Sequence, residues 1–250
     1  MRRHLLNCLW PLAVLGALLI IWEVSVAVWD MPHYILPPPT RIVQALITFW
    51  PRLVPHALIT FSEVVLGFGV ALVAGLLLGA GIAGSRIVER ALLPLVIGSQ
   101  TIPVFAIAPL LVLWFGYGIG SKVVMAALIV FFPITVSTVQ GLKATDKDLL
   151  DLLRVLEAGR WRTFWIVQVP QALPHIFAGA KIGMAVSVIG AVIGEWVGAR
   201  QGLGYYMVQA NAQMQVDRVF AAIVLLSGIG VGLYALVVLV ERWCTPWRRA

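Results

Sequence analysis

The apolar runs of this chain, each about 20 residues long and set between short charged or proline-rich breaks, leave few folds open to it. Crossing a hydrocarbon core of roughly 30 Å takes about 20 helical residues. Segments at approximately 12–29, 61–83, 92–114, 122–142, 178–198 and 219–240 meet that length. Only 12% of the 250 residues are charged, against 61% hydrophobic, and the mean hydropathy is +0.96. A soluble globule, in which about a quarter of residues are charged, cannot be covered with so little polar surface. The reading is an all-α membrane protein with six transmembrane helices.

The basic residues punctuate the ends of the apolar runs. If the N-terminus is cytoplasmic, all 18 Lys and Arg fall inside except Arg41, Arg52, Lys122, Arg200 and Arg218. That is a positive-inside bias, and it places both termini in the cytoplasm. The net charge of +7 forms no patch with interleaved aromatics, so nucleic acid is not an expected partner. Cys8 and Cys244 stand alone near the two ends, with no ligand spacing for zinc and no disulfide framework. The run after Arg2 and Arg3 lacks a small-residue cleavage site, so it reads as an uncleaved anchor rather than a signal peptide.

Between the first two spans, Ile35-Leu36-Pro37-Pro38-Pro39-Thr40 predicts an extended outer connector. A short amphipathic helix over 41–50 should follow, capped by Thr40. Gly75/Gly79, Gly190/Gly194/Gly198 and Gly228/Gly232 have the spacing that lets helices approach closely. Packing within one bundle and a surface for a partner are both open readings of them. Pro103 and Pro109 interrupt the third span and Pro133 the fourth. Freed carbonyls at membrane depth need protein or a wet cavity, which points to a kinked, cavity-lining helix around Gln100-Thr101-Ile102-Pro103.

Charge returns in one place, the stretch 146–177. Leu149, Leu152, Leu153 and Leu156 make an apolar helical face, with Thr145 as a cap and Asp146 and Asp148 at the positive end of the dipole. Gly159 allows a turn. A second piece over 161–167 carries Trp161, Phe164, Trp165 and Val167 and ends at Pro170 and Pro174. It reads either as an interfacial helix or as a docking element for a soluble partner.

At these residues the chain resembles the membrane-spanning permease subunit of a type I ABC importer, in the nitrate, sulfonate and taurine branch. That family carries a cytoplasmic E-A-A-x3-G-x9-I-x-L-P loop followed by A-L-P. Here Asp151, Leu152 and Leu153 stand at the E-A-A positions, Val167, Val169 and Pro170 at the end, and Ala172-Leu173-Pro174 follows. The motif glycine falls on Glu157, with a glycine two residues later at Gly159. Ile35-Leu36-Pro37-Pro38-Pro39, Trp114-Phe115-Gly116 and Gly194-Glu195-Trp196 with Gly202-Leu203-Gly204-Tyr205 extend the likeness over nearly the whole chain.

The resemblance implies a five-helix core, built from the second to sixth spans, with the first span an addition. It divides the chain into an extra helix at 1–30, an outer connector at 31–60, a core at 61–240 with a coupling loop at 144–177, and a tail at 241–250. It implies a homodimeric pore in the cytoplasmic membrane, an outer solute-binding protein, and a cytoplasmic ATPase docked on Asp151, Leu152, Leu153, Glu157, Ala158, Gly159, Arg160, Val167, Val169 and Pro170. ATP belongs to that ATPase, because no G-x-x-x-x-G-K-[ST] loop is present here. No metal-ligand cluster or catalytic constellation is visible, so the chain is expected to be a transport subunit and not an enzyme.

Candidate path residues are Gln100 and Thr101, whose amide and hydroxyl can orient a polar solute, and Glu195, an ionisable residue near the outer end of the fifth span. For Glu195 an ion pair or a hydrogen-bonded helix end is the alternative. Glu23 is expected to snorkel or to pair within the bundle, and His56 and Glu63 to face water outside. The resemblance implies a small polar solute of the nitrate, sulfonate or taurine class, with a thiamine-precursor pyrimidine or a riboflavin-like solute as the alternative. A self-sufficient secondary transporter or channel is the competing class.

Overall fold

The computed structural model describes the backbone of residues 2–249 and the side chains of Trp10 and of 13–247. The readings placed on Arg2, Arg3, Cys8, Arg248 and Arg249 lie outside the described side chains.

The described chain is all helical. α1 spans Arg2–Val28, α2 Pro39–Thr48, α3 Trp50–Gly84, α4 Arg86–Ser99, α5 Val104–Phe115 and α6 Ile119–Lys143. After these come α7 at Lys147–Val155, α8 at Arg160–Thr163, α9 at Val169–Gly198, α10 at Leu203–Ala212 and α11 at Val216–Cys244. Four helical stretches are long and apolar enough to cross a membrane: α3, α6, the continuous run Arg160–Gly198, and α11. α4 and α5 make a fifth candidate only as a broken pair, bent by 96°. The kink expected in the third span at 92–114 is thus a full break of 96°. Pro103 cannot donate in a helix and pushes Ile102 out of helical geometry, so the chain turns at Gln100–Pro103 and α5 starts anew. Within α1, the apolar stretch among the described residues is Ala13–Val28.

α3 begins at Trp50, some ten residues before the expected start, because Pro51 fits the first helical turn, where its missing N–H is no loss. α2 starts at Pro39 with Pro38 before it, so Thr40 lies inside the helix and is not its cap. Glu23 takes that role instead. Its carboxylate accepts from the Thr40 N–H at 3.1 Å and the Thr40 hydroxyl at 2.7 Å, a negative charge at the positive end of α2. Trp22 of α1 also meets the bundle, its ring 5.6 Å from that of Phe220 on α11.

α6 is the centre of the bundle, held between α3 and α9 by small residues. A Cβ added to Gly75 would lie 2.9 Å from Ile134 Cγ2, and one on Gly190 2.7 Å from the Ala126 Cα. These two glycines admit α6 at a distance no larger residue allows. Among the described residues nothing lies within 4 Å of a Cβ added to Gly228 or Gly232 on α11, so of the two open readings, packing within the bundle is not seen for this pair. Val64, Ala71, Met125, Val130, Ile134 and Ala191 form the dry interior around α6. On the charged side, Lys143 at the end of α6 pairs with Glu89 in the first turn of α4.

Candidate functional site

Two regions concentrate polar chemistry, at opposite ends of the bundle. The first is the loop between α6 and α9. Asp146, not Thr145, caps α7: its carboxylate accepts from the Asp148 N–H at 3.0 Å, while the Thr145 hydroxyl donates back to Leu142 O. The Asp146 N–H donates to Gln171 Oε1 at 3.2 Å, which ties the start of α7 to α9. No residue of α7 is buried. Leu152, Val155 and Leu156 are more than half exposed, so the expected apolar face exists and is uncovered.

The turn after α7 lies at Glu157. Its φ is +52°, its N–H donates to Arg154 O and the Ala158 N–H to Leu153 O. That pair of bonds is the Schellman arrangement, whose left-handed residue is usually glycine. Gly159, expected to provide the turn, has φ −59° and ψ 152°, open to any residue, and precedes α8. The left-handed turn thus stays at the position where the family motif has its glycine, and Glu157 holds it with a side chain.

The second piece does not stop at the prolines. α8 runs through a π turn, Phe164–Gln168, in which the Val169 N–H bonds to Phe164 O, and continues as α9. Pro170 sits in the first turn of α9 and Pro174 inside it, so the expected break there is replaced by one uninterrupted rod. Trp161, Phe164 and Trp165 form an aromatic cluster with ring centroids 5.3 to 6.2 Å apart, and Trp161 is 74% exposed. Asp151 pairs with Arg154 at 2.6 Å on the open surface.

The second region is buried and polar. The Glu195 carboxylate accepts from the Thr60 hydroxyl at 2.6 Å and from the Gly204 N–H in the first turn of α10. Thr60 Oγ1 in turn accepts from the Leu203 N–H at 2.8 Å, and His56 Nδ1 from the Gly202 N–H at 3.0 Å. Glu195 and two side chains of α3 thus cap α10, a negative charge against a helix N-terminus. Lys122, 2% exposed, does the converse. Its ammonium donates to Gly198 O at the C-terminal end of α9 at 2.5 Å, and to Tyr117 O and Gly118 O. Of these acceptors, the Gly198 carbonyl is among the last of α9, which have no partner within the helix.

Glu63 lies beside Glu195 and Lys122, is 3% exposed, and its Oε2 has no hydrogen-bond partner among the described residues. A cavity of about 390 Å³ has Glu63, Lys122 and Arg200 among its walls. Glu63 and His56 were expected in water. The early start of α3 carries Glu63 into the bundle and half-buries His56. Of the expected path residues, Glu195 is buried in this network, whereas Gln100 and Thr101 are exposed at the α4–α5 corner, so the three are not brought together. Thr60 and Lys122 were missed as site residues. A lysine at the head of an apolar run was the one available signal, and it was absorbed into the flanking-charge count.

Residues 71–245 match the family of binding-protein-dependent transport system inner membrane components. A probable ABC transporter permease protein of Haemophilus influenzae is 45% identical over 90% of this chain and 91% of its own. The formylaminopyrimidine transport permease protein ThiX of Halalkalibacterium halodurans is 40% identical over 93% of each chain. The riboflavin transport system permease protein RibX of Chloroflexus aurantiacus is 37% identical over 95% and 91%. A putative aliphatic sulfonates permease protein SsuC of Bacillus subtilis is 30% identical over 94% and 86%. Among solved structures, an inward-facing MetNI methionine ABC transporter chain superposes with a TM-score of 0.62 at 19% identity, over 76% of this chain and 98% of its own.

Proposed function

Since this chain belongs to the family of binding-protein-dependent transport system inner membrane components, we propose that it carries a small heteroaromatic solute, of the formylaminopyrimidine or riboflavin kind, inward by alternating access. It is a multi-pass inner membrane protein and the permease of an ABC importer, whose ATPase is a separate subunit. The finer reading is that two copies form the pore, that both termini are cytoplasmic, and that ATP is bound by the partner alone.

The observation that carries this reading is the uncovered lever between α6 and α9. An amphipathic helix with an unburied leucine face and an aromatic cluster continuous with a membrane-crossing rod is fit to receive a two-state motion and pass it on. On this reading Asp151, Leu152, Leu153, Glu157, Ala158, Gly159, Arg160, Val167, Val169 and Pro170 form or frame the ATPase contact. Gln100 and Thr101 face the solute at the α4–α5 corner. Glu195 sets the outer end of the path by holding α10, and does not touch the solute.

For the solute, the permeases named for a formylaminopyrimidine and for riboflavin are 40% and 37% identical to this chain, and the sulfonate permease 30%. That order favours a heteroaromatic solute over the nitrate, sulfonate and taurine class. The test is uptake into proteoliposomes holding this permease with its ATPase and binding protein. ATP-dependent accumulation of a formylaminopyrimidine or riboflavin, with no accumulation of taurine, is expected. Taurine uptake would overturn the solute class, and accumulation driven by an ion gradient without ATP would overturn the importer.

A further inference from the structure

Beneath the lever, against the inner ends of α3, α4 and α6, lies a cavity of about 770 Å³. Arg86, Arg154 and Arg160 line it, and no carboxylate does. Among the described residues Arg86 and Arg160 make no ion pair. Arg154 has Asp151, but both are more than 60% exposed, where such a pair is worth little and exchanges readily. The first turn of α4, which begins at Arg86, has no side-chain cap, and its one acid, Glu89, is taken up by Lys143. Arginines from three helices therefore line one concavity, and two of them, Arg86 and Arg160, have no ion-pair partner among the described residues. The rest of the wall includes Leu142, Leu150 and Phe164.

We propose that this cavity binds a phosphate-bearing anion. Arg86 and Arg160 take its oxygens through their planar forks, and Leu142, Leu150 and Phe164 cover the carbon skeleton attached to it. The half-apolar wall fits an organic phosphate better than inorganic phosphate. A phospholipid headgroup and a soluble phosphate ester share this chemistry. Because Ala158 and Arg160 belong to the lever, an occupant would set how firmly the lever seats on the bundle. That consequence rests on the coupling role proposed above; the binding does not.

The experiment uses the purified permease in phosphatidylcholine nanodiscs. Retention of phosphatidylglycerol is read by native mass spectrometry, and protection by sn-glycerol 3-phosphate by thermal shift. The variant is Arg86→Gln/Arg160→Gln, with its melting temperature without ligand as the folding control. Wild type is expected to retain phosphatidylglycerol over phosphatidylcholine, and the double variant to lose about tenfold of that preference, the scale of one charged hydrogen bond. If the soluble ester alone protects, and the variant abolishes it, the site holds and its source is soluble. Should the double variant fail to fold, the single Arg86→Gln must lose the preference and Arg86→Lys regain part of it. Equal retention of both lipids with no thermal shift, or a preference untouched by the variants, overturns the proposal. So does a variant whose only effect is weaker binding of the ATPase subunit, which would give the cavity to a protein carboxylate. Loss of transport in the uptake assay would leave these readings unchanged, so the two failures are distinguishable.

Discussion

The outer cluster and the cytoplasmic lever handle charge in opposite ways. Around Glu195 and Lys122 nearly every polar group is buried and finds its partner inside the chain. Helix ends are capped by side chains 9 to 146 positions away. Around α7 the polar pairs are short-range and solvated, and the leucines and tryptophans face outward. The first region meets most of its polar needs within the chain, Glu63 Oε2 excepted. The second is half of an interface, and only a partner can bury it. The difference separates residues that fix the fold from residues that transmit a motion, and it can be probed by substitution.

The sharpest test is Lys122→Met. It strips a buried cation from three carbonyls and from the neighbourhood of Glu63, and losing one member of a buried charged network costs about 3–5 kcal/mol. The detergent-solubilised variant should melt far below wild type or fail to accumulate; an unchanged melting temperature would mean that the outer cluster does not hold the fold. Gly190→Val comes next. With Ala126 Cα 2.7 Å from the added Cβ, α6 and α9 must part, at a cost of about 1–3 kcal/mol, seen as a lower denaturation midpoint.

On the lever the signs differ. Trp161→Ala should leave the permease as stable as wild type, because the ring is 74% exposed. It should weaken ATPase binding by about 2 kcal/mol, as loss of an aromatic anchor does. A titration showing unaltered affinity would remove Trp161 from the contact. The smallest effect is expected for Glu157→Gly. Relief of a left-handed side-chain residue is worth about 1 kcal/mol, so α7 should gain protection in hydrogen exchange while stimulated ATP hydrolysis is kept. A loss of protection would show that the Glu157 side chain has a job of its own.

Much of this was legible in the sequence, and what was not has physical reasons. Long uncharged runs fixed α6, α9 and α11 because lipid admits few alternatives, and the leucine spacing fixed α7 because a 3.6-residue period is hard to mimic. The 96° corner at Gln100–Pro103 was foreseen only as a kink: a proline says that a helix is interrupted, not by how much the chain turns. Thr60 and Lys122 escaped because their role depends on helix ends 76 to 143 positions away. Local composition carries no trace of such a meeting. Residue type points to Gly159 for the turn and motif register to Glu157; the Schellman bonds keep the register and tolerate the side chain.

The π turn at Phe164–Gln168 gives the lever an adjustable azimuth. A single added residue in a helix of 3.6 residues per turn rotates everything beyond it by about 100°. The compass bearing of Trp161 relative to α9 is therefore set by one wide turn of five residues. Deleting one residue there would leave both helices intact and aim the aromatic cluster elsewhere, much as shifting one tooth re-times a gear without reshaping either wheel.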